Sequence, residues 1–201
     1  MERTIKIMLA WGGTWGHAIP IISLVSYLQD EWKYQFLWLW EGDSLEEELA
    51  ELHVIDFKSI SAGRIRRYFD IRNFYEPLKN LTGICESIYH IIRFRPDYIF
   101  SKGWFVALPV CIAAWILRKP VFIHESDSVM WLSNKLCSRF ASKIFYTFPW
   151  EHVDNIKHIH SGPIMHPDMI EWLSSMQVQE NERLKVLVIA GSQWSTIIFD
   201  A

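Results

Sequence analysis

Ile5-Lys-Ile-Met-Leu-Ala-Trp11-Gly-Gly-Thr-Trp15-Gly-His17-Ala-Ile-Pro20 decides the fold of this chain. The apolar run over residues 5–10 has the character of a buried strand. A glycine-bearing turn follows it, and a helical pattern starts at once. In α/β proteins such a junction leaves backbone N–H groups free at a helix N-terminus, aimed at whatever anion sits above the strand ends. Gly12, Gly13 and Gly16 suit the turn, because glycine reaches positive φ and lets a ligand approach the backbone. Trp15, in their midst, does neither. His17 closes the segment and is placed to act as a base or hydrogen-bond donor on a phosphate-bearing substrate. The plainer reading is that the glycines serve strand-to-helix packing alone.

The same alternation continues outward. Strand-like runs recur at 34–40, 54–58, 98–101, 121–124, 143–146, 158–161 and 185–190. Helical patterns lie between them at 19–30, 44–52, 74–94, 106–117, 129–140 and 168–176. Short apolar strands alternating with amphipathic helices specify βαβ units, hence an α/β chain with a Rossmann-like parallel sheet. The polar stretch 177–183 reads as an interdomain linker. Beyond it, the strand at 185–190 runs into Gly191-Ser192-Gln-Trp194 and echoes the opening junction. The expected organisation is a first domain over 1–166, an interdomain helix and linker over 167–183, and the first strand and loop of a second, truncated domain over 184–201.

Composition narrows the function classes. Half of the residues are hydrophobic and 21% are charged, which fits a globular chain. The formal net charge of −3 argues against a general nucleic-acid binder, although local basic patches stay open. Cys85, Cys111 and Cys137 are far apart and form no CxxC, as expected of small buried side chains in a reducing compartment. No signal peptide is legible, and the longest apolar run, 105–117, falls short of the roughly 20 residues that span a bilayer. His152, His158, His160 and His166 crowd one region without ligand spacing, so neither a metal nor a cofactor is expected. Tryptophan (11) outnumbers glycine (9), an abnormal balance.

Four further segments carry chemistry. His124-Glu125-Ser-Asp127-Ser128 follows a strand, where ligands of parallel sheets bind; its side chains can hold sugar hydroxyls or polarise an attacking alcohol, or Asp127 and Ser128 merely cap a helix. Ser101-Lys-Gly103-Trp104-Phe-Val-Ala-Leu-Pro109 places Gly103 where backbone can approach a ligand, and Ser161-Gly-Pro-Ile-Met165-His-Pro167 is another turn after a strand; both also read as plain connections. Between residues 64 and 75, Arg64, Arg66, Arg67 and Arg72 interleave with Phe69, Ile71, Phe74 and Tyr75. That is a solvated loop, or a surface that docks on an anionic bilayer.

In order, these motifs resemble the MurG family of bacterial cell-wall N-acetylglucosaminyltransferases. The family's Gly-Gly-Thr-Gly-Gly-His is similar to Gly12-Gly-Thr-Trp-Gly-His17, and its Gly-Gly-Tyr/Phe-Val-x-x-Pro to Gly103-Trp-Phe-Val-Ala-Leu-Pro109. Its Pro-Val-x-x-His-Glu-Gln-Asn…Gly-Leu-x-Asn-Lys resembles Pro120 to Lys135, and its Gly-Gly-Ser-Gln-Gly resembles Ala190-Gly-Ser-Gln-Trp194. The resemblance implies the N-terminal, acceptor-binding domain of a GT-B glycosyltransferase. Such an enzyme moves GlcNAc from UDP-GlcNAc to undecaprenyl-pyrophosphoryl-MurNAc-pentapeptide (lipid I), inverting the anomeric centre and giving lipid II. It implies His17 or Glu125 as the base. Thr14, Trp15, Gly16, Asp127, Met165 and Ser192 would line the donor side, and Gly12, Gly13, Gly103 and Trp104 the diphosphate loops. Arg64, Arg66, Arg67, Phe69, Arg72 and Phe74 would face the membrane.

The implied setting is peripheral, on the cytoplasmic side of the plasma membrane, with other cell-wall enzymes as partners and no nucleic acid. Two departures stand out: Asp127 where the family has Asn, and Met165 where it has an arginine that would pair with the donor diphosphate. A truncated chain of this kind is expected to be inactive alone. The rival readings are a GT-B transferase for another sugar or lipid, and a non-catalytic membrane- or partner-binding remnant. Trp15, Trp104, Trp131 and Trp194 all replace family glycines, and Trp11 sits where a turn glycine would be unremarkable. This pattern predicts UGA codons that the source organism reads as glycine; the alternative is real tryptophans in a decayed gene.

Overall fold

The computed structural model describes residues 3–11, 15–29, 33–41, 50–51, 53, 55–64, 71–74, 76–149 and 156–175, with backbone alone at 15–18, 29, 72 and 73. The chain divides into one compact unit, Met1–His166, and a second, Pro167–Ala201. In the second unit the described element is a helix, Pro167–Ser175.

The first unit is built on seven strands: β1 Ile5–Ala10, β2 Tyr34–Trp40, β3 Asp56–Ser59, β4 Tyr98–Ser101, β5 Val121–Glu125, β6 Lys143–Tyr146 and β7 His158–His160. They pair in the order β3-β2-β1-β4-β5-β6-β7, every pair parallel. Strand order therefore reverses between β1 and β4, the kind of position at which parallel α/β sheets bind ligands. The helices are α1 Trp15–Gln29, α2 Glu76–Phe94, α3 Ala107–Ile116 and α4 Leu132–Cys137, with a 3₁₀ turn at Ile71–Phe74; the helix of the second unit is α5.

The central strands explain why the runs at 5–10 and 34–40 are near-continuously apolar. Met8, Leu9, Ala10, Leu37, Trp38 and Leu39 are buried, as expected where both faces of a parallel sheet are covered. Trp11 packs its ring against Trp38, centroids 5.1 Å apart, and Trp38 donates its indole N–H to the Trp11 carbonyl oxygen (3.3 Å). Trp11 is thus a core residue rather than a turn residue.

The first turns of α2 depart from the usual pattern. Its buried residues are Glu76, Asn80, Gly83, Ser87 and Ile91, a helical stripe that is mostly polar or small. The stripe clasps the loop after β3. The Arg64 N–H donates to Glu76 (2.9 Å), the Gly63 N–H to Asn80 Oδ1 (3.0 Å), and Ser61 bonds Glu86 through both its N–H and its hydroxyl. Gly83 is required there: a Cβ would stand 1.9 Å from the Ser61 carbonyl oxygen. Leu78, Leu81, Tyr89 and Ile92 of α2 face solvent, whereas Ile84, Ile88, Ile91 and Phe94 pack against the core.

Several boundaries differ from the sequence reading. α1 starts at Trp15 rather than 19, so its first turn directly follows the glycine loop. The strand expected at 54–58 is Asp56–Ser59. The helix expected at 129–140 shortens to Leu132–Cys137, because Glu125 holds the segment before it as a loop. The linker at 177–183, the strand at 185–190 and Ser192 lie outside the described residues, as does most of the helix expected at 44–52.

Candidate active-site crevice

The crevice is formed by loops at the C-terminal ends of the strands. After β4 the chain passes through Lys102, Gly103 and Trp104. Gly103 has φ +100°, and a Cβ there would stand 2.6 Å from Asn134 Oδ1, so only glycine fits. Trp104 has φ +73°, the left-handed region that glycine adopts without strain and tryptophan does not. Two hydroxyls hold the turn: Ser101 Oγ accepts the Gly103 N–H and Ser133 Oγ accepts the Trp104 N–H, both at 3.1 Å.

After β5 the organising group is Glu125. Its side chain is buried, and its carboxylate takes three N–H donors: Asp127 N on Oε1 (3.1 Å), and Trp131 N (3.1 Å) and Asn134 Nδ2 (2.9 Å) on Oε2. A carboxylate with this many charge-assisted bonds to its own loop shapes that loop. Asp127, half-buried, accepts the indole N–H of Trp131 and lines a separate open groove with Val129, Met130 and Phe148. Trp131 itself has an ordinary φ of −65°.

His124, one residue earlier, points to the opposite sheet face. With the proton on Nε2 it donates to the Gly162 carbonyl oxygen (3.3 Å), tying β5 to the turn after β7. Burial, reinforced by the charge of Lys102, pushes its pKa down to about 4, so the ring is neutral.

Between the loops after β3, β4 and β5 lies a cleft of about 250 Å3 lined by Gly63, Lys102, Phe105, Leu108, Asn134 and Leu136, with Trp104 and Trp131 also on its walls. Lys102 is only 4% exposed, and its Nζ has no hydrogen-bond partner among the described residues. Burial pushes this amine down to about 8, against the opposing pull of the Glu125 and Asp127 carboxylates. Asn134 Oδ1 is likewise buried without a partner. The sequence reading quoted both residues inside motifs but gave neither a role. A lysine between a buried strand end and a glycine turn was the available signal.

Of the expected site residues, Glu125, Asp127, Gly103 and Trp104 are brought together on adjacent loops. α1 brings the backbone of Trp15, Gly16 and His17 to the start of the helix after β1. Met165, half-buried, lies in the turn before α5. Arg64 is exposed, its guanidinium 4.4 Å from the centroid of Phe105 and 3.8 Å from Glu41. Phe74 is exposed. Gly12, Gly13, Thr14, Arg66, Arg67, Phe69 and Ser192 are outside the described residues, and the side chains of His17 and Arg72 are not described. Among the described residues no group of three His, Cys, Asp or Glu side chains could hold a metal ion. No described helix is long and apolar enough to cross a membrane.

Comparison with known proteins agrees with this geometry. The model of the glycosyltransferase family 28 N-terminal domain matches residues 7–146. The UDP-N-acetylglucosamine--N-acetylmuramyl-(pentapeptide) pyrophosphoryl-undecaprenol N-acetylglucosamine transferase 2 of Bacillus cereus is 38% identical over 169 residues, 83% of this chain and 47% of that protein. The corresponding transferase of Clostridium kluyveri is 36% identical over 200 residues, 96% of this chain and 56% of that protein. The chain thus spans about half the length of these relatives. Among solved structures, Acinetobacter baumannii MurG superposes with a TM-score of 0.66 at 24% identity, over 79% of this chain and 45% of that one. A UDP-GlcNAc 2-epimerase of Neisseria meningitidis, with a TM-score of 0.52 at 14% identity, covers 71% of this chain and 40% of its own, and likewise speaks for the fold. The motif resemblance, the switch-point crevice and the family match coincide: the chain belongs to glycosyltransferase family 28, to which it contributes the N-terminal domain.

Proposed function

We propose that this chain is the acceptor side of an inverting transferase that moves GlcNAc from UDP-GlcNAc to lipid I, giving lipid II. The carrying observation is the cleft between the loops after β3, β4 and β5, lined by Gly63, Lys102 and Asn134, in a sheet whose strand order reverses between β1 and β4. The relatives' names supply the two substrates. In the reaction the acceptor hydroxyl attacks the anomeric carbon, the bond to UDP breaks, and the hydroxyl proton passes to a base. Glu125 is already committed to three donors within its loop, which favours a positioning role. His17, at the start of α1, then takes the proton, and the helix N-terminus steadies diphosphate charge. Asp127 and Met165, with Thr14, Trp15, Gly16 and Ser192, complete the donor side.

The acceptor is membrane-borne, and exposed apolar residues of the 3₁₀ turn and the first turns of α2 support docking on the membrane surface. Ile71, Phe74, Leu78 and Leu81 are exposed, and Arg66, Arg67, Phe69 and Arg72 belong to the adjoining sequence. Apolar side chains flanked by arginines suit an anionic leaflet, here the cytoplasmic one.

The test is transfer of labelled GlcNAc to lipid I by this chain joined to the C-terminal half of a relative. Lipid I is offered either in detergent or in anionic vesicles. Product in both formats is expected, with His17→Ala lowering kcat at least a hundredfold. Phe74→Glu should slow only the vesicle reaction. Transfer to a different lipid-linked acceptor but not to lipid I overturns the substrate assignment.

A further inference from the structure

The geometry points to Lys102 and Asn134 as a subsite that grips one hydroxyl group of a sugar in the cleft, an inference that rests on the reading of this chain as the acceptor side of a sugar transferase. Buried polar atoms are almost always paired, and each exception asks for an explanation. Here two exceptions lie on one cleft: the Lys102 amine, 4% exposed, and Asn134 Oδ1, in a residue 2% exposed. One is a surplus donor and the other a surplus acceptor.

Their orientation is not accidental. Asn134 gives its amide N–H to Glu125 Oε2, so its oxygen is turned away as an acceptor. Gly103 makes room for that oxygen, which a Cβ would meet at 2.6 Å. Lys102 immediately precedes that glycine, at the end of β4 and beside the strand-order reversal.

A hydroxyl satisfies both atoms at once, accepting from Lys102 and donating to Asn134. A phosphate or carboxylate also accepts from Lys102, but it brings further negative charge into a field already made negative by Glu125 and Asp127, and a carboxylate has no proton to offer the Asn134 oxygen. Phe105, Leu108 and Leu136 supply apolar walls for the C–H faces of a sugar ring.

The experiment labels lysine with 13Cε and 15Nζ, follows the Lys102 signal by NMR, and uses methyl N-acetyl-β-D-muramide, its monodeoxy analogues and inorganic phosphate as probes. The sugar is expected to move the Lys102 signal and phosphate to leave it. Lys102→Met should bind the sugar about tenfold more weakly. The same variant, freed of an unpartnered buried amine, should have a raised thermal midpoint without ligand, whereas a purely structural lysine would lower it. One monodeoxy analogue should lose the same tenfold on the unmodified chain and nothing further on Lys102→Met. Sugar binding that ignores Lys102→Met, or a Lys102 signal moved by phosphate alone, overturns the subsite and leaves the proposed function standing. No sugar binding by the unmodified chain overturns both.

Discussion

The β1–β2 core and the crevice beyond β4 and β5 both contain tryptophan, and they use it in opposite ways. In the core, Trp11 and Trp38 are fully buried, their rings stacked at a tilt and linked by an indole-to-carbonyl hydrogen bond. At the crevice, Trp104 is 38% exposed with φ +73°, and Trp131 is 55% exposed over Asp127. The core encloses the Trp11 ring, although its own indole N–H has no partner among the described residues. The backbone at Trp104 is shaped for a residue without a side chain. An aromatic substitution pattern that looks uniform in sequence therefore hides two different physical situations.

The largest expected effect is in the core. Trp11→Ala should cost about 3–5 kcal/mol of unfolding free energy in urea titrations, since it empties a packed site. A loss below about 1 kcal/mol would mean that the Trp11–Trp38 pair carries no packing energy and would erase the contrast.

The next effect comes from groups buried against their charged forms. His124 has its pKa lowered to about 4 in the folded chain, against 6.5 in the unfolded one. Between those values the unfolded state binds more protons, so stability is complete above pH 6.5 and falls as pH drops toward 4. His90 and His158, also lowered by burial, act in the same sense. Thermal midpoints measured from pH 7.5 to 4.5 should fall, and His124→Phe should flatten the slope. An unchanged slope would remove His124 from the account.

The smallest effect is at the crevice. Trp104→Gly should stabilise the chain by about 1 kcal/mol by relieving the left-handed backbone, while Trp131→Gly, with its ordinary φ, should gain nothing. Peptide masses of the protein from its source organism bear on the same point: glycine at 104 is the expected mass, and tryptophan there would end the recoding reading.

Parallel strands, the passage from β1 to α1 and the loops carrying Gly103 and Glu125 were legible from runs of apolar residues and from motif order. The polar inner face of α2 was not. Its stripe of Glu76, Asn80 and Gly83 acquires meaning only from the loop at 61–64, which arrives from another part of the chain. Glu125 shows the same limit: as a sequence letter it is a free carboxylate fit for a base, and in the fold it already accepts three N–H groups, from Asp127, Trp131 and Asn134.

The sequence alone determined the α/β class, the strand-to-helix junctions and the family, because periodicity and motif spacing are local properties of the chain. Only the tertiary structure decided which polar atoms are spent and which are left over. Whether Glu125 is occupied, and whether the Lys102 amine and Asn134 Oδ1 lack partners among the described residues, depends on neighbours and burial set by strands distant in sequence, and the free energy of a buried polar group is governed by those neighbours rather than by its own identity.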